Sequence, residues 1–329
     1  MKAAFYRRFG AADAVMEVGD LDDQPPAAGE VTVALAYSGV NPSDVKARAG
    51  ARAGVTDLPF PTIVPHSDGS GVIVAVGPGV DSARIGQSVW IWNGQWKRAF
   101  GTAADQITLP AQQAVPMVAE ATLEQGAVLG IPGLTAAHTV FQGGDVAGKT
   151  VLVQGGAGMV GRLAVQMAKW GGARVIATCS ASDVSYVTDA GADVVLEYAQ
   201  ADLSDAILAA NDGKAVEHIV EVEFGANCQI DADVIAENGR IVAYGSAKAM
   251  TPTLPFYPLM FKNVSLEMAL VYLLPQRIRD EAIHRLNGAL QDHALHIPVA
   301  ETFDLTQIAA AHEAVETGQR RGAILVKTQ

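Results

Sequence analysis

Val151-Leu152-Val153-Gln154-Gly155-Gly156-Ala157-Gly158-Met159-Val160-Gly161 joins a short apolar run to a glycine turn and then to a helical stretch, Met159 to Trp170. Gly156, Gly158 and Gly161 satisfy G-x-G-x-x-G in the strand–turn–helix setting that gives the pattern meaning. A Cβ at Gly156 or Gly158 would hold a pyrophosphate away from the helix N-terminus, where unpaired N–H groups and the helix dipole favour an anion. Gly161 lets the helix pack against the strand. A glycine turn that binds nothing would look the same in isolation, so the surroundings decide.

Those surroundings point to a dinucleotide. Arg174–Thr178, Asp193–Leu196, Glu217–Val222 and Arg240–Tyr244 are further short strand candidates, each separated from the next by enough chain for a helix. Such alternation predicts βαβ units and a doubly wound parallel sheet, an α/β fold. The second strand ends in Cys179-Ser180-Ala181-Ser182, with no carboxylate where a NAD-preferring site usually bonds the ribose 2′-hydroxyl. A 2′-phosphate would meet hydroxyls there, which favours NADP(H).

The chain before this region is β-rich. Val31–Ala36, Gly71–Val76, Ser88–Trp92 and Ala104–Leu109 are separated by Gly, Pro and Asp, with tight connections at Pro25-Pro26 and Gly77-Pro78-Gly79. A small, irregular β-barrel is expected. Beyond Gly245 the alternation stops. Thr251–Pro258, with three prolines, reads as a loop or an edge, Ala311–Gln319 as a helix and Ala323–Lys327 as a last strand. The expected division is 1–118, 119–262, and 263–329 as the end of the sheet and a return to the first domain.

Composition narrows the partners. Of 329 residues, half are hydrophobic and 18% are charged, which is a globular balance. A net charge of −12 without any Lys/Arg cluster argues against nucleic acid or an anionic membrane. The apolar part of the N-terminus is too short for a signal peptide, and no run is long enough to span a bilayer. Cys179 and Cys228 are the only cysteines, too few for a disulfide framework, so a cytoplasmic protein is expected.

Asn41-Pro42-Ser43-Asp44, Gly130-Ile131-Pro132-Gly133-Leu134-Thr135-Ala136, the glycine turn and Gly239-Arg240-Ile241-Val242 follow one another in an order that resembles the zinc-free medium-chain dehydrogenases/reductases. The NADPH:quinone reductase, or zeta-crystallin, branch is the most similar, and the likeness covers essentially the whole chain. The resemblance implies a GroES-like N-terminal domain joined to a Rossmann domain, with the site in a cleft between them. It implies Ala157, Gly158, Met159 and Val160 at the pyrophosphate, and Ser180 and Tyr198 at the adenosine phosphate. Ala243, Tyr244, Gly245 and Ser246, with Met268, Ala269 and Leu270, would line the nicotinamide ribose. Asn41 and Thr135 belong to the implied cofactor set, and Lys46 stands where the family usually has a Tyr. Relatives selecting NADPH often carry a Lys shortly after the second strand; here the chain reads Asp183-Val184-Ser185.

Zinc-dependent relatives use a Cys and a Gly-His-Glu segment. This chain has no cysteine before Cys179, and its matching segment, His66-Ser67-Asp68, puts Ser67 at the ligand position. No metal is expected. His293 and His296 read as exposed residues of one helix face. Without a Lewis acid the acceptor must be activated already, as a quinone or conjugated carbonyl is. Asn41 is either a donor to the developing oxyanion or simply the start of an Asn-Pro turn. Trp90, Trp92 and Trp96 divide between barrel core and the wall of a flat acceptor pocket, with Trp92 and Trp96 as the pocket candidates and 90 and 92 on one strand face.

Two rival functions stay open. A 2-enoyl thioester reductase, or an enone/enal double-bond reductase, shares the Asn-Pro-Ser-Asp start. Its thioester-reducing members need a Tyr proton donor where Arg52 stands, and arginine is a poor acid. A non-catalytic NADPH-binding protein, structural or sensing, has no distinguishing residue. Finally, the apolar stretch Phe256–Tyr272 follows the fifth strand, and a bare sheet edge there predicts a homodimer.

Overall fold

The computed structural model describes residues 1–51, 54–318 and 320–329, which fall into two compact units: Met1–Ile131 with Ile297–Gln329, and Pro132–His296. The first unit thus runs to Ile131 and resumes at Ile297, inside the 263–329 stretch read as the end of the sheet and the return.

The first unit is organised by the strand Glu30–Val40. It pairs antiparallel with Asp68–Val76, Gln106–Pro110 and Ala323–Lys327. Ser88–Ile91 and Ala114–Pro116 extend the sheet on one side, and Val299–Asp304 on the other. Alternation along Glu30–Val40 sends Val31, Val33 and Leu35 into a core with Ile73, Val89, Ile91, Ile107 and Leu109. A second core joins the chain's two ends, packing Ala3 and Ala4 against Ile308, Ala311 and Val315 of the helix Ile308–Glu316. That helix starts three residues earlier than the expected Ala311–Gln319; Gln319 lies outside the described residues.

The second unit holds six parallel strands. In space they run Val194–Glu197, Arg174–Cys179, Thr150–Val153, Val216–Glu221, Ile235–Ala243 and Ser265–Met268. Taken in chain order this is 3-2-1-4-5-6, the doubly wound arrangement, with strand order reversing beside Thr150–Val153. Val151, Leu152 and Val153 are fully buried, as a parallel strand covered on both faces must be. The helix Met159–Trp170 has the predicted limits.

Two local expectations fail. Residues 251–255 are loop as expected, but a helix, Phe256–Phe261, starts inside the last three residues of the proline-rich stretch. Pro258 sits in its first turn, where no N–H is needed, so the proline does not forbid it. His293 and His296 are not helical: the helix Gln276–Gln291 has ended, and His293 has a φ of 54°. Among the described residues no helix is long and apolar enough to cross a membrane.

Candidate functional site

In the second unit, the glycine turn is fastened to the next strand. Gly156 N–H donates to the Thr178 carbonyl at 2.8 Å and Gly155 N–H to Thr178 Oγ1 at 3.2 Å. Gly155 has a φ of 73°, the left-handed region that favours glycine. A Cβ on Gly161 would lie 2.2 Å from the Gly155 carbonyl oxygen, so close packing requires glycine there, as expected. The other two differ in role. A Cβ on Gly156 would strike Val187 at 2.9 Å, which makes it a packing glycine and not one facing a ligand. Gly158 is exposed, and a Cβ there would make only an ordinary contact, 3.7 Å from the Gly155 carbonyl oxygen, so nothing in the chain crowds it.

Gly158 is also the N-cap of Met159–Trp170. No side chain caps that helix and its first turn carries no acid. Its first N–H groups thus keep the need for an acceptor that every helix start has. A pyrophosphate laid over Ala157–Val160 fits this turn in shape and charge.

At the tip of the second strand the structure corrects the expectation. Ser180 Oγ donates to Asp183 Oδ2 at 2.6 Å and lies 2.9 Å from Ser182 Oγ. A carboxylate does sit at the tip: the short 3₁₀ turn Ala181–Asp183 folds it back onto Ser180. Tyr198 is half-exposed, with Lys248 Nζ 5.7 Å from its ring centre.

After the fifth strand, Gly245 is demanded by close approach, because a Cβ would lie 2.3 Å from the Val222 carbonyl oxygen. Ser246 Oγ accepts from Gly225 N–H at 2.9 Å and donates to the Ala249 carbonyl at 2.5 Å, so its hydroxyl proton is committed within the loop. Ala243 is buried, Tyr244 is half-buried and its phenol is pushed up by burial and by Glu221. Ala269 N–H bonds the Ala243 carbonyl, and Met268 and Leu270 stand exposed beside it. Thr135 is buried on the helix Leu134–Phe141.

In the first unit, Asn41 caps the helix Pro42–Arg48, and its backbone N–H donates to Asp44 Oδ2 at 2.8 Å. Its side chain does more than start a turn: Asn41 Nδ2 donates to Asp68 Oδ2 at 2.8 Å. Asp68 is fully buried. Burial first, then the charge of Asp44, pushes its carboxyl well above the ordinary range, opposed by Asn41 and the Ile131 amide. A Cβ on Gly130 would lie 2.4 Å from Asp68 Oδ1, so glycine is required at that point of the Gly-Ile-Pro-Gly segment. Asn41 keeps a second amide hydrogen.

Beneath this pair runs a one-way chain of hydrogen bonds. Thr102 Oγ1 donates to the Asp68 carbonyl at 2.5 Å, so it accepts from Ser38 Oγ at 2.8 Å. Ser38 has then used its hydrogen, so His66 Nδ1, 2.8 Å away, must be the donor. His66 Nε2 is left bare and accepts from His312 Nε2 at 2.9 Å. Both imidazoles are therefore neutral, consistent with burial pushing His66 well down and His312 down to about 3. The pair ties the helix Ile308–Glu316 to the sheet. Ser67, at the expected ligand position, is buried beside it. Among the described residues no group of three or more His, Cys, Asp or Glu could hold a metal ion.

Trp90 is fully buried in Ser88–Ile91, whereas Trp92 lies just past that strand's end, so the two do not share a strand face. Trp92 is 5% exposed, which makes it core, while Trp96 is half-buried under Lys97. Lys46 is exposed on Pro42–Arg48. Arg52 lies outside the described residues. Sequence reasoning missed Asp68 as the partner of Asn41 and Asp183 as the partner of Ser180. Nothing along the chain names either partner, since Asp68 lies 27 residues from Asn41 and Asp183 meets Ser180 only through a 3₁₀ turn.

A parallel sheet of order 3-2-1-4-5-6 with an uncapped helix at its glycine turn, in a chain that also carries an antiparallel β unit, defines a dinucleotide-dependent dehydrogenase or reductase. Residues 27–120 match the alcohol dehydrogenase GroES-like domain and residues 160–288 the family described as zinc-binding dehydrogenase. Together the two matches cover both domains of a medium-chain dehydrogenase/reductase, and the relatives at 29% identity include quinone oxidoreductases. It is 29% identical over 250 residues to quinone oxidoreductase of Rattus norvegicus, spanning 74% of this chain and 73% of that one. A crystal structure of an NAD-dependent alcohol dehydrogenase superposes with a TM-score of 0.86 at 26% identity, over 100% of both chains. Mycobacterial Rv1454c complexed with NADPH superposes with a TM-score of 0.85 at 26% identity, over 99% of this chain and 100% of that one.

Proposed function

We propose that this protein is an NADPH-dependent reductase that transfers hydride to a quinone or a similar small conjugated carbonyl, without a metal ion. The observation that carries the reading is the exposed, uncapped helix start at Gly158 in a chain similar to quinone oxidoreductases. Reduced nicotinamide, when bound, supplies the hydride. The chain's own residues bind and orient. N–H groups of Ala157, Met159 and Val160 hold the pyrophosphate over Gly158, whose own N–H donates to the Gly155 carbonyl, and the exposed side chains of Tyr198 and Lys248 offer a stacking face and a positive charge to the adenosine phosphate. In the first unit the remaining hydrogen of Asn41 Nδ2 is the donor to an acceptor oxygen as it becomes negative. Asp68 fixes the amide in place for that role. Trp96 offers a flat wall, whereas Trp92 is buried in the core.

Metal independence is supported by chemistry at the ligand positions. Ser67 replaces the imidazole, no thiolate precedes Cys179, and the Asn41 amide is already bonded to Asp68. A quinone needs no Lewis acid because it delocalises the incoming charge itself. We place the protein in the cytoplasm, in keeping with two free, buried cysteines.

A homodimer completes the proposal. Ser265–Met268 is the edge strand of the sheet, and Phe256, Tyr257, Phe261 and Met268 beside it are 58%, 64%, 77% and 64% exposed. So much apolar surface next to a bare edge suits pairing with a second copy about a two-fold axis.

The test is consumption of NADPH with a simple benzoquinone, with NADH in parallel, before and after dialysis against a chelator. Turnover that favours NADPH and ignores the chelator is expected. Reduction of enones but not quinones would move the protein to the double-bond reductases. Binding without turnover of either would make it a non-catalytic NADPH-binding protein. Activity lost to chelator and restored by zinc would overturn the metal-free reading.

A further inference from the structure

Behind the glycine turn, in the interior of the second unit, two carboxyl groups lie against each other. Glu221 ends the strand Val216–Glu221 and Asp231 lies on the helix Phe224–Val234; neither has any exposed surface. Their surroundings are arranged unequally. Glu221 Oε1 accepts from the Glu223 N–H and from Asn227 Nδ2, and Oε2 also accepts from Asn227 Nδ2 at 3.1 Å. Asp231 Oδ1 accepts from Gln154 Nε2 at 3.2 Å, but Oδ2 is buried with no donor to accept from. The group it faces is Glu221, itself an acceptor.

Two acceptors in contact with no donor between them are satisfied only by a proton. Two buried carboxyl groups in hydrogen-bond contact cannot both be ionised. The donors supplied to Glu221 mark it as the ionised member. Asp231, lacking a donor at Oδ2, must carry the hydrogen and donate it to Glu221. Burial pushes both carboxyls upward, Glu221 to about 7 and Asp231 well above its ordinary range. The other groups facing the pair are Gln154 from the turn, Asn227 and Cys228 from the helix, Tyr244 from the end of the fifth strand, and Glu223. None is a cation, so no ion pair can replace the proton.

From this pair hydrogen bonds run outward to both rims of the cradle. On one side Gln154 Oε1 accepts from Thr178 Oγ1 at 2.6 Å, and Thr178 Oγ1 accepts from the Gly155 N–H. On the other, Glu221 fixes the Glu223 backbone, and the Glu223 carboxylate takes the N–H groups of Ala247 and Lys248 at 2.9 and 2.8 Å. Val222 is wedged between the two: Gly155 and Gly245 both owe their lack of a Cβ to it.

We propose that Glu221 and Asp231 are positioning residues sharing one proton, which sets the spacing between the Gly155 turn and the 245–249 loop for dinucleotide binding. The proposal rests on the cofactor reading above and adds the residues that hold the cradle in shape.

Asp231→Asn preserves the pattern, because its amide nitrogen can donate to Glu221 and its oxygen can accept from Gln154. Asp231→Ala removes both. The expected result is NADPH affinity within about twofold of wild type for Asp231→Asn and weakened about tenfold or more for Asp231→Ala, with kcat at saturating NADPH changed far less. A merely structural role would instead lower folding stability alike and leave KM and kcat unsplit. The proton itself is read by infrared difference spectroscopy: wild type minus Asp231→Asn should show the carbonyl stretch of a protonated carboxylic acid at pH 8. Absence of that band overturns the proposal even if Asp231→Ala fails to fold. So does an Asp231→Asn variant that binds as poorly as Asp231→Ala. If the band is present but wild type binds neither NADPH nor NADH, it is the cofactor reading that fails.

Discussion

Asp183 is the residue whose replacement should alter cofactor use most informatively. Ser180 Oγ has one hydrogen, and it is given to Asp183 Oδ2 at 2.6 Å. A 2′-phosphate taking the same hydroxyl would put its oxygen about 2.7 Å from Ser180 Oγ, hence no more than about 5.3 Å from the carboxylate oxygen. At that separation two unit charges repel by roughly 0.8 kcal/mol in water-like dielectric, and the phosphate carries nearly two charges. Screening over a Debye length of about 8 Å halves the sum, leaving roughly 0.8 kcal/mol at physiological salt. Competition for the Ser180 hydrogen adds a few tenths, so Asp183→Asn should tighten NADPH by about fivefold. NADH lacks the phosphate and should move by less than about twofold. Nicotinamide fluorescence titrations at low and high salt measure both, and the NADPH gain should shrink as salt rises. The reasoning is refuted if NADPH affinity stays put while NADH weakens, for then Asp183 holds a ribose hydroxyl instead of repelling a phosphate. The stake is real, since solved structures of equal likeness include one NAD-dependent protein and one complexed with NADPH.

Asn41→Ala would strip the side-chain donor from a fully buried Asp68 and should cost about 1–3 kcal/mol in chemical denaturation, besides a loss of quinone turnover. His312 is held near 3 against an ordinary 6.5, so only the unfolded chain takes up its proton readily; the stability it contributes is full above pH 6.5 and falls as pH drops toward 3, with burial the main cause. Melting temperatures of wild type and His312→Gln should therefore converge on acidification, and a constant gap would contradict the neutral-imidazole chain. For the dimer, Met268→Lys should yield a single-chain mass by light scattering with the fold intact, whereas Leu266→Lys should unfold the unit, because Leu266 packs on its core and Met268 is exposed.

What the sequence made legible was whatever depends on spacing along the chain. The Rossmann strands and the helix Met159–Trp170 announce themselves because a buried parallel strand is a short apolar run and a glycine turn has fixed offsets. Proline misled at Phe256–Phe261, since its penalty applies to helix interiors and not to a first turn. Trp92 was placed by alternation, but the strand stops at Ile91, and period two means nothing past a strand's end.

The site was legible only in part, for a different reason. Glycines were found by motif, yet what each one avoids depends on neighbours distant in sequence: Val187 for Gly156, Gly155 itself for Gly161, and no crowding neighbour for Gly158. Polar partners are harder still. Asp68 lies 27 residues from Asn41, Asp231 lies 77 from Gln154, and His312 lies 246 from His66, with no periodicity connecting any pair. A buried acid is costly enough that each must find its donor or keep its proton, so the sequence does say that partners exist wherever an acid is buried. It does not say which acids are buried. Asp183 shows the consequence: read along the chain it was a residue just past the tip, and a 3₁₀ turn of three residues made it the group that Ser180 bonds. On the proposed reading, cofactor choice at this strand end should follow the local fold of Ala181–Asp183, and a one-turn change there is expected to alter it without touching the glycine motif.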